Sequence, residues 1–528
     1  MKPLSEETEA RIQRMGKELL ETARERKQAF WAREHWEEIL FHKLMGSEQL
    51  RVQLLRFVDV LPGLTSDEDL SKHLHEYLGE EDLPIPGFAK WGIEHSRGSV
   101  AAHLAAGAVR TAMHSLAKRF IGGADVHDAF QTANHLRNEN MCFTLDLLGE
   151  VTLSETEGDE YRDKYLNFIK DLAPQLKVWK PNPLLDEIKN RPCPRFNLSI
   201  KVSSLCSLID PIDIEGRVET IKRRLRPILK AAKKEGAFIC LDMEQYEMKE
   251  IILRVFQDIL LEPEFRDWPD AGIALQAYLR DSEKDLLNLI DWCRSRGTPV
   301  TVRLVRGAYW DYEKIIAQQN GWNMAVWSEK WETDSCFENC VRHLMHNHEV
   351  IDIAIGSHNV RSLALAMVLA EETGLQPGQF ELQMLYGMAD PLKEVIAAMK
   401  QRIRIYVPCG ELMPGMAYMV RRLLENTASQ SFLRMSFAED LPADTLLASP
   451  KPPKQKEDAP DEDESTQQPP APPLIRDNRD FTGGGSLPPF VNEAVHRFTD
   501  EVERKAFAAF IEYVRGSLGQ EYPLLLNG

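Results

Sequence analysis

The sequence predicts an α/β fold, a (β/α)8 barrel preceded by helices, on two observations. Between residues 141 and 427, short runs of apolar or β-branched residues alternate with longer amphipathic segments. This alternation is typical of a parallel sheet whose strands are joined by helices. Nearly every run also ends in a polar or charged residue, and the C-terminal ends of the strands are where such barrels place their catalytic groups.

The eight runs have the length of strands. They are 141–147, 196–202, 237–242, 272–278, 300–305, 351–357, 380–385 and 402–407. Segments with helical spacing of apolar residues lie at 161–172, 217–236, 283–297, 360–374 and 390–401. An open doubly wound sheet is the alternative, but such sheets usually contain fewer strands.

The regions outside the barrel differ from it in composition. Residues 1–62 are charge-rich, with apolar residues at helical spacing, which predicts a helical arm used for packing or for a homodimer. Residues 63–135 continue as an α-helical region, and the barrel domain is assigned to 136–440. Residues 441–486 include a stretch rich in proline and acidic residues, so we expect a disordered linker there. Residues 487–528 turn helical again.

Composition narrows the classes of function. The formal net charge of −18 argues against general nucleic-acid binding, which needs a basic surface. The cysteines form no CxxC pair, so we expect reduced thiols in a cytosolic protein. Cys336 and Cys340 on one helix are a weak candidate for half of a metal site. His343, His346 and His348 precede the sixth strand, away from the catalytic end, so no metal is expected there either.

Residues at the strand ends form the candidate site. Along the chain they are Asp146, Glu150, Lys201, Asp242, Glu244, Gln276, Tyr278, Arg303, Arg306, Tyr309, Ser357, His358, Asn359, Gln383, Leu385 and Tyr406. Each could be an ordinary surface residue, but a purely structural barrel has no reason to concentrate charges at one end. There is no GxGxxG after a strand and no GxxxxGK[ST], which argues against a Rossmann-type nucleotide site. A phosphorylated cofactor could still bind at the rim, through Arg306, Lys330, Thr333 and His358.

The segment after the last strand, GMAYMVRRLLENT, carries two adjacent arginines. At helical spacing, Tyr418, Arg421, Arg422 and Glu425 fall on one face. Paired arginines suit a carboxylate, which each can bind with two hydrogen bonds, and Glu425 can orient one of them. An exposed face with an Arg421–Glu425 ion pair is the alternative. The position after the last strand favours substrate binding.

Residues 141–437 resemble the proline dehydrogenase domain of the bacterial bifunctional proline-utilization flavoproteins (PutA). The matching motifs are LDLLGE (145–150), NLSIKVSSL (197–205), LDMEQ (241–245), QAYLRD (276–281), VRLVRGAYWDYE (302–313), KWETD (330–334), IGSHN (355–359), FELQMLYGMADPL (380–392) and IYVPCGELMPGMAYMVRRLLENTASQSF (405–432). The final EYPLLLNG resembles the start of the aldehyde dehydrogenase half of these proteins, so we expect 487–528 to be a truncated part of that region.

The resemblance implies a distorted TIM-like barrel that binds FAD and oxidises L-proline to Δ1-pyrroline-5-carboxylate. A hydride passes to the flavin N5, and the electrons then pass to a membrane quinone. The aldehyde dehydrogenase step is not supported by this chain, and the helical arm replaces the DNA-binding segment of some relatives. The expected location is cytoplasmic, with peripheral contact to the inner membrane.

The resemblance also implies residue roles. Arg421, Arg422 and Lys201 hold the substrate carboxylate, and Glu150 and Glu425 brace the arginines. Residues at the proline ring are Tyr406, Tyr418, Tyr309, Ala308, Leu385 and Asp242. Arg303 lies near the flavin N5. The other residues that contact FAD are Gln276, Val305, Arg306, Gly307, Lys330, Thr333, His358, Asn359, Gln383, Tyr406, Arg422 and Glu425.

Two other classes of function stay open from the sequence. One is a binding or scaffold module in which the barrel is inert. The other is a barrel lyase or aldolase that uses the Lys201 amine to form a Schiff base.

Overall fold

The computed structural model describes residues 3–31, 48–60, 63–64, 66–79, 118–149, 152–411, 415, 418, 441–452 and 495–521. Within this part of the chain, eight parallel strands close into one barrel in chain order. They are β1 Cys142–Leu147, β2 Phe196–Ile200, β3 Ala237–Leu241, β4 Ala271–Gln276, β5 Thr301–Val305, β6 Asp352–Gly356, β7 Glu381–Leu385 and β8 Ile403–Cys409. The predicted barrel is confirmed, and each strand ends within two residues of its predicted limits.

Helices precede, surround and follow the barrel, and the described ones longer than four residues are numbered here. They are α1 Glu6–Trp31, α2 Glu48–Val60, α3 Asp67–Leu78, α4 Val126–Asn138, α5 Glu155–Lys177, α6 Ile214–Glu235, α7 Tyr246–Leu260, α8 Ser282–Arg296, α9 Trp310–Asn320, α10 Lys330–His346, α11 Val360–Glu372, α12 Asp390–Ala398 and α13 Glu501–Ser517. The five predicted helical segments correspond to α5, α6, α8, α11 and α12. Two helices, α9 and α10, connect β5 to β6.

Because all eight strands are parallel, their C-terminal ends lie together at one rim of the closed barrel. β1 pairs in parallel with β8, with Cys142 opposite Arg404 and Leu147 opposite Cys409, and it also pairs with β2. Every residue of β1 to β4 is buried, because helices cover the outside of a parallel sheet and side chains fill its inside. The polar residues that follow these strands therefore lie at the C-terminal mouth.

A short hairpin, which the sequence analysis did not predict, lies against the opposite end of the barrel. Residues 187–188 pair with 191–192 in antiparallel fashion. The fully buried Arg402 donates hydrogen bonds to the carbonyl oxygens of Leu185 and Glu187, and Arg191 pairs with Asp270 and Asp352. These contacts hold the hairpin against the N-terminal end of the barrel.

The helical arm packs on the outside of the barrel. Ile12 and Leu19 of α1 are buried in the main core, and the buried Arg361 of α11 pairs with Glu9. The predicted disordered linker, 441–486, is wrong at its start. Leu446 and Leu447 are buried, and the Leu447 carbonyl accepts from Arg361 over 2.9 Å. These leucines come before the proline-rich stretch. Their apolar side chains can pack, which the proline and acidic residues after them cannot do.

Other features expected from composition can be located. All eight cysteines are free, and all except Cys193 are buried. His343 Nε2 lies 2.7 Å from Glu283 Oε1. Among the described residues, no cluster of three or more His, Cys, Asp or Glu side chains is arranged to hold a metal. None of the described helices has both the length and the apolar character needed to cross a membrane.

Candidate active site

Lys201, Asp242 and Tyr406 meet at the C-terminal mouth of the barrel. Lys201 directly follows β2, Asp242 directly follows β3, and Tyr406 lies in β8. Lys201 Nζ lies 3.4 Å from both Asp242 Oδ2 and Tyr406 Oη and also donates to Asp146 at the end of β1. Tyr406 Oη donates to Asp242 Oδ2 over 2.7 Å. The strands β8, β1, β2 and β3 are successive neighbours in the barrel, which is why these side chains converge.

Arg303 of β5 joins this cluster from across the barrel. Its Nη1 donates to Asp242 Oδ1 over 2.6 Å and its Nη2 donates to Ser199 Oγ over 2.9 Å. The guanidinium carbon lies 5.2 Å from the centre of the Tyr406 ring. Asp242 therefore accepts hydrogen bonds on both carboxylate oxygens, and charge-assisted bonds of this kind are among the strongest in proteins.

The charges in the cluster shift the pKa values of its members. Burial raises the pKa of Asp242, but Lys201 and Arg303 outweigh it, so the pKa lies below its ordinary value. Burial raises the pKa of Asp146, and the attraction of Lys201 offsets only part of the increase. Burial lowers the pKa of Lys201, but Asp146 and Asp242 outweigh it and the pKa is raised. Lys201 is therefore an ammonium group at neutral pH.

Tyr406 is a neutral hydrogen-bond donor in this cluster. Burial, followed by the negative charges of Asp146 and Asp242, raises the pKa of its phenol well above the ordinary value. A phenol that cannot ionise at neutral pH donates a hydrogen bond rather than acting as a base.

Arg306, which follows β5, lies at the N-terminus of α11. Its guanidinium donates to Asp334 Oδ1 over 2.7 Å and to the hydroxyls of Ser357 and Ser362 over 2.8 Å each. Asn359 caps α11 by accepting from the Ser362 amide. The N-terminus of a helix beside a guanidinium is an arrangement that binds phosphate groups.

Lys330 and Thr333 lie on the same side of this rim. Lys330 Nζ donates to Asp334 Oδ2 over 2.5 Å, so Asp334 joins Lys330 to Arg306. Thr333 is buried in the first turn of α10. The predicted phosphate-binding residues Arg306, Lys330 and Thr333 are thus close to one another.

Gln276, at the end of β4, offers an unsatisfied acceptor to a ligand, and Gly307 lies close against a ring of the chain itself. Gln276 is buried and donates through Nε2 to the carbonyls of Met243 and Glu244, while its Oε1 has no hydrogen-bond partner among the described residues. A buried acceptor without a partner is costly unless a ligand satisfies it. Gly307 has a φ of +123°, and a Cβ there would lie 2.2 Å from the Tyr278 ring, so no larger residue fits.

Other predicted residues follow β6, lie on β7 or come after β8. Leu385, at the end of β7, donates through its amide to His358 Nε2 over 3.0 Å. The Nε2 atom therefore acts as an acceptor. Gln383 is buried, and its Nε2 donates to Glu381 Oε1. Tyr418 is buried as well.

The β5–α9 connection carries three more predicted residues. Val305 ends β5, Ala308 is exposed, and Tyr309 packs against the buried pair Tyr278 and Leu279. Four predicted residues lie outside the described residues: Glu150, Arg421, Arg422 and Glu425.

The structure adds residues that were not assigned a role from the sequence. Asp146, a candidate at the end of a predicted strand that was given no role, is the closest partner of Lys201. Ser199 binds Arg303 from within an apolar run, where a single serine gives no signal. Asp334 joins Arg306 to Lys330, and it could have been found from its place four residues after Lys330.

Similarity to known proteins assigns the family. The family model described as proline dehydrogenase matches residues 129–435, more than half of the chain. The chain belongs to the proline dehydrogenase family. A second model, described as the proline utilization A N-terminal domain, matches residues 9–120, which span both the predicted arm and the predicted helical region.

Individual relatives of the proline dehydrogenase family agree with this assignment. The bifunctional protein PutA of Escherichia coli (strain K12) is 27% identical over 403 residues, which are 75% of this chain and 28% of that protein. Proline dehydrogenase 1 of Bacillus subtilis (strain 168) is 26% identical over 317 residues, 60% of this chain and 89% of that protein. The chain therefore spans a little over a quarter of the curated PutA relative.

A solved structure is similar over almost the whole chain. This is the crystal structure of proline utilization A from Bdellovibrio bacteriovorus inactivated by N-propargylglycine. It has a TM-score of 0.83 and 35% sequence identity, and the match covers 98% of this chain and 50% of that one. The helices before the barrel and the barrel itself therefore follow an arrangement already seen in this family.

Proposed function

We propose that this chain catalyses the FAD-dependent oxidation of L-proline to Δ1-pyrroline-5-carboxylate, the first step of proline catabolism. Membership of the proline dehydrogenase family supports the reaction class. The observation that carries the proposal is the cluster of Lys201, Asp242, Arg303 and Tyr406 at the mouth of the barrel. The partly exposed Lys201 ammonium, held by Asp146 and Asp242, and the neutral Tyr406 phenol suit a small anionic substrate.

The rim residues suit FAD. Arg306, Lys330, Thr333 and Asn359 would hold its phosphate groups at the N-terminus of α11, where a positive guanidinium and the helix dipole attract anions. Residues for the ring system and its surroundings would be Gln276, Arg303, Val305, Gly307, His358, Gln383 and Tyr406. FAD, when bound, supplies at N5 the acceptor for the hydride that leaves the proline ring carbon beside the nitrogen.

The chain's own residues orient the substrate. The Lys201 ammonium, held charged by Asp146 and Asp242, attracts the proline carboxylate. Asp242 would lie near the proline ring, and its hydrogen bonds hold Arg303 and Tyr406 in place. Arg303 keeps a positive charge near the cofactor, because Cys240, Asp242 and Tyr406 raise its pKa although burial alone lowers it.

Further roles rest on the resemblance alone. Arg421 and Arg422 would hold the carboxylate together with Lys201, and Glu150 and Glu425 would brace them. The apolar walls would be Ala308, Tyr309, Leu385 and Tyr418. These assignments stay predictions.

A Schiff-base lyase or aldolase is disfavoured by the state of Lys201. Such enzymes need a neutral amine as nucleophile, which usually requires a lowered pKa. Here two carboxylates raise the pKa of Lys201. The ammonium form binds an anion well and attacks a carbonyl poorly.

Other parts of the proposal concern partners and location. Transfer of electrons to a membrane quinone, a cytoplasmic location with peripheral membrane contact, and a homodimer through the helical arm all stay predictions. The buried face of α1 packs on this chain's own core, so any dimer contact would use a different face of the arm.

The experiment is a dye-reduction assay on purified protein reconstituted with FAD. We expect the electron-accepting dye to be reduced with L-proline and not without it. Borohydride in the presence of a carbonyl substrate should leave Lys201 unmodified. A protein that takes up no FAD, or that takes it up and reduces no dye with proline, would refute the proposal.

A further inference from the structure

The residues after the predicted linker contact the mouth of the barrel. We call residues 495–504 the strap. Trp322 Nε1, just beyond α9, donates to the Val495 carbonyl of the strap, and Arg497 Nη1 donates to the Asn323 carbonyl over 2.7 Å. Arg504 pairs with Glu250 of α7, with Nη2 and Oε2 2.9 Å apart. The strap therefore joins the segment after α9 to the helix that follows β3.

Arg497 lies between two aromatic rings. Its guanidinium carbon is 4.7 Å from the centre of the Tyr246 ring and 5.0 Å from the centre of the Trp322 ring. A guanidinium at these distances is attracted by the electron-rich face of each ring. The Arg497 Nε atom is buried without a hydrogen-bond partner among the described residues. The side chain is held by the two rings and the Asn323 carbonyl, and it is attracted by the charges of Glu247 and Glu313.

The two rings belong to segments that carry proposed active-site residues. Tyr246 lies four residues after Asp242, and its amide donates to Glu313 Oε1 over 2.7 Å. Glu313 is buried in α9, four residues after Tyr309. Tyr246 and Tyr309 also pack against the same small apolar cluster at the rim, which contains Tyr278.

These contacts form a continuous path from the strap to the substrate side of the site. Arg497 contacts the ring of Tyr246. The Tyr246 amide donates to Glu313 of α9, and α9 begins immediately after Tyr309. The connection between β5 and α9 is anchored at Arg306, whose carbonyl accepts from the Tyr278 amide over 2.8 Å. Beyond that anchor come Gly307 in a left-handed conformation and the exposed Ala308, so the contacts made by α9 help to position Tyr309.

The geometry points to Arg497 as a positioning residue that, from outside the barrel, holds the 306–326 segment and with it Tyr309. The inference rests on the proposed function for the identity of the substrate. The contacts that Arg497 makes do not depend on the proposed function.

The test compares Arg497→Ala with a matched variant, Arg515→Ala, in the full chain loaded with FAD. Arg515 lies on α13, is 67% exposed, and pairs with Glu512 in the same helix. We expect Arg497→Ala to raise the KM for L-proline about fivefold, with kcat changed less than about twofold, from the loss of two cation–π contacts. Backbone hydrogen exchange in 306–326 should become faster, and Arg515→Ala should change neither quantity.

Two further outcomes keep the test decisive. Wild-type KM and wild-type exchange in 306–326 for Arg497→Ala would overturn the inference. If Arg497→Ala does not fold, Arg497→Lys keeps the charge but lacks the planar group that stacks on two rings. Its exchange in 306–326 should still be faster than wild type, and unchanged exchange would overturn the inference. If wild-type protein fails to oxidise proline, the proposed function fails, and the exchange comparison alone decides the role of Arg497.

Discussion

Tyr406 donates a hydrogen bond of 2.7 Å to one oxygen of Asp242, whose other oxygen accepts from Arg303 over 2.6 Å. One carboxylate thus joins a phenol from β8 to a guanidinium from β5, two strands that are not neighbours in the barrel. Lys201 keeps Asp146 as a second partner, but loss of the Asp242 charge would leave the buried Arg303 guanidinium without its carboxylate.

Asp242→Asn should therefore destabilise the fold. Removing one partner of a buried ion pair leaves uncompensated charge, so we expect the free energy of unfolding to fall by about 3 kcal/mol, as measured by urea denaturation. Asp291→Asn is the control, since Asp291 is 73% exposed and pairs with Arg294 on the surface. An Asp242→Asn protein as stable as this control would contradict the assigned role of Asp242.

Arg306→Gln should weaken FAD binding. The substitution removes a positive charge at the N-terminus of α11, where the cofactor phosphates are proposed to bind. Loss of one charge-assisted contact predicts a Kd for FAD raised about tenfold or more, measured by fluorescence titration of the apoprotein. Arg294→Gln removes an exposed arginine instead and should leave the Kd unchanged. Equal Kd values for the two variants would refute phosphate binding by Arg306.

Arg421→Met and Arg422→Met should each raise the KM for L-proline strongly. The change reflects lost binding of the carboxylate in the ground state, and about a hundredfold is expected for a guanidinium that makes two hydrogen bonds. The measurement is steady-state dye reduction over a range of proline concentrations. Lys230→Met, at an exposed ion pair with Glu264, is the control. An unchanged KM in both arginine variants would remove them from the substrate site.

Asp270 gives a pH dependence of stability at the other end of the barrel. Burial raises the pKa of Asp270 to about 6 from an ordinary value of 3.8. The folded state therefore binds a proton more tightly than the unfolded state, so stability falls as the pH rises from about 4 to about 6. Above that range the buried charge is destabilising.

Asp270→Asn removes this titration. We expect the variant to be more stable than wild type at pH 8 by about 1–3 kcal/mol, because a tenfold change in proton affinity corresponds to about 1.4 kcal/mol. The difference should vanish near pH 4. Urea denaturation at the two pH values measures it, and a difference that does not depend on pH would show that Asp270 titrates normally.

The barrel could be predicted from the sequence because its strands are buried on both sides. The run AFICL is continuously apolar, FNLSI alternates apolar with small polar residues, and the charged neighbours Asp242 and Lys201 mark where these runs end. The hairpin at 187–192 could not be predicted in this way, since two-residue strands have no periodicity. It depends on Arg402, which is distant in sequence and reaches the hairpin only after folding.

The site was predictable where its residues follow strands, and the family resemblance supplied their roles. Lys201, Asp242, Arg303 and Tyr406 come together as the strand order requires. The contact of Arg497 with Tyr246 could not be inferred, because it joins segments that are far apart in the sequence and lies outside the repeating pattern of the barrel. Cation–π contacts of this kind leave no spacing signal in a sequence.

We propose that the mouth of this barrel holds FAD and presents L-proline to it. The most direct test is the visible absorption spectrum of the FAD-reconstituted protein without oxygen, recorded before and after addition of L-proline. We expect a yellow protein whose flavin absorption is lost when L-proline is added and returns when a dye acceptor follows. A protein that stays colourless after reconstitution, or a bound flavin whose spectrum proline leaves unchanged, would contradict the claim.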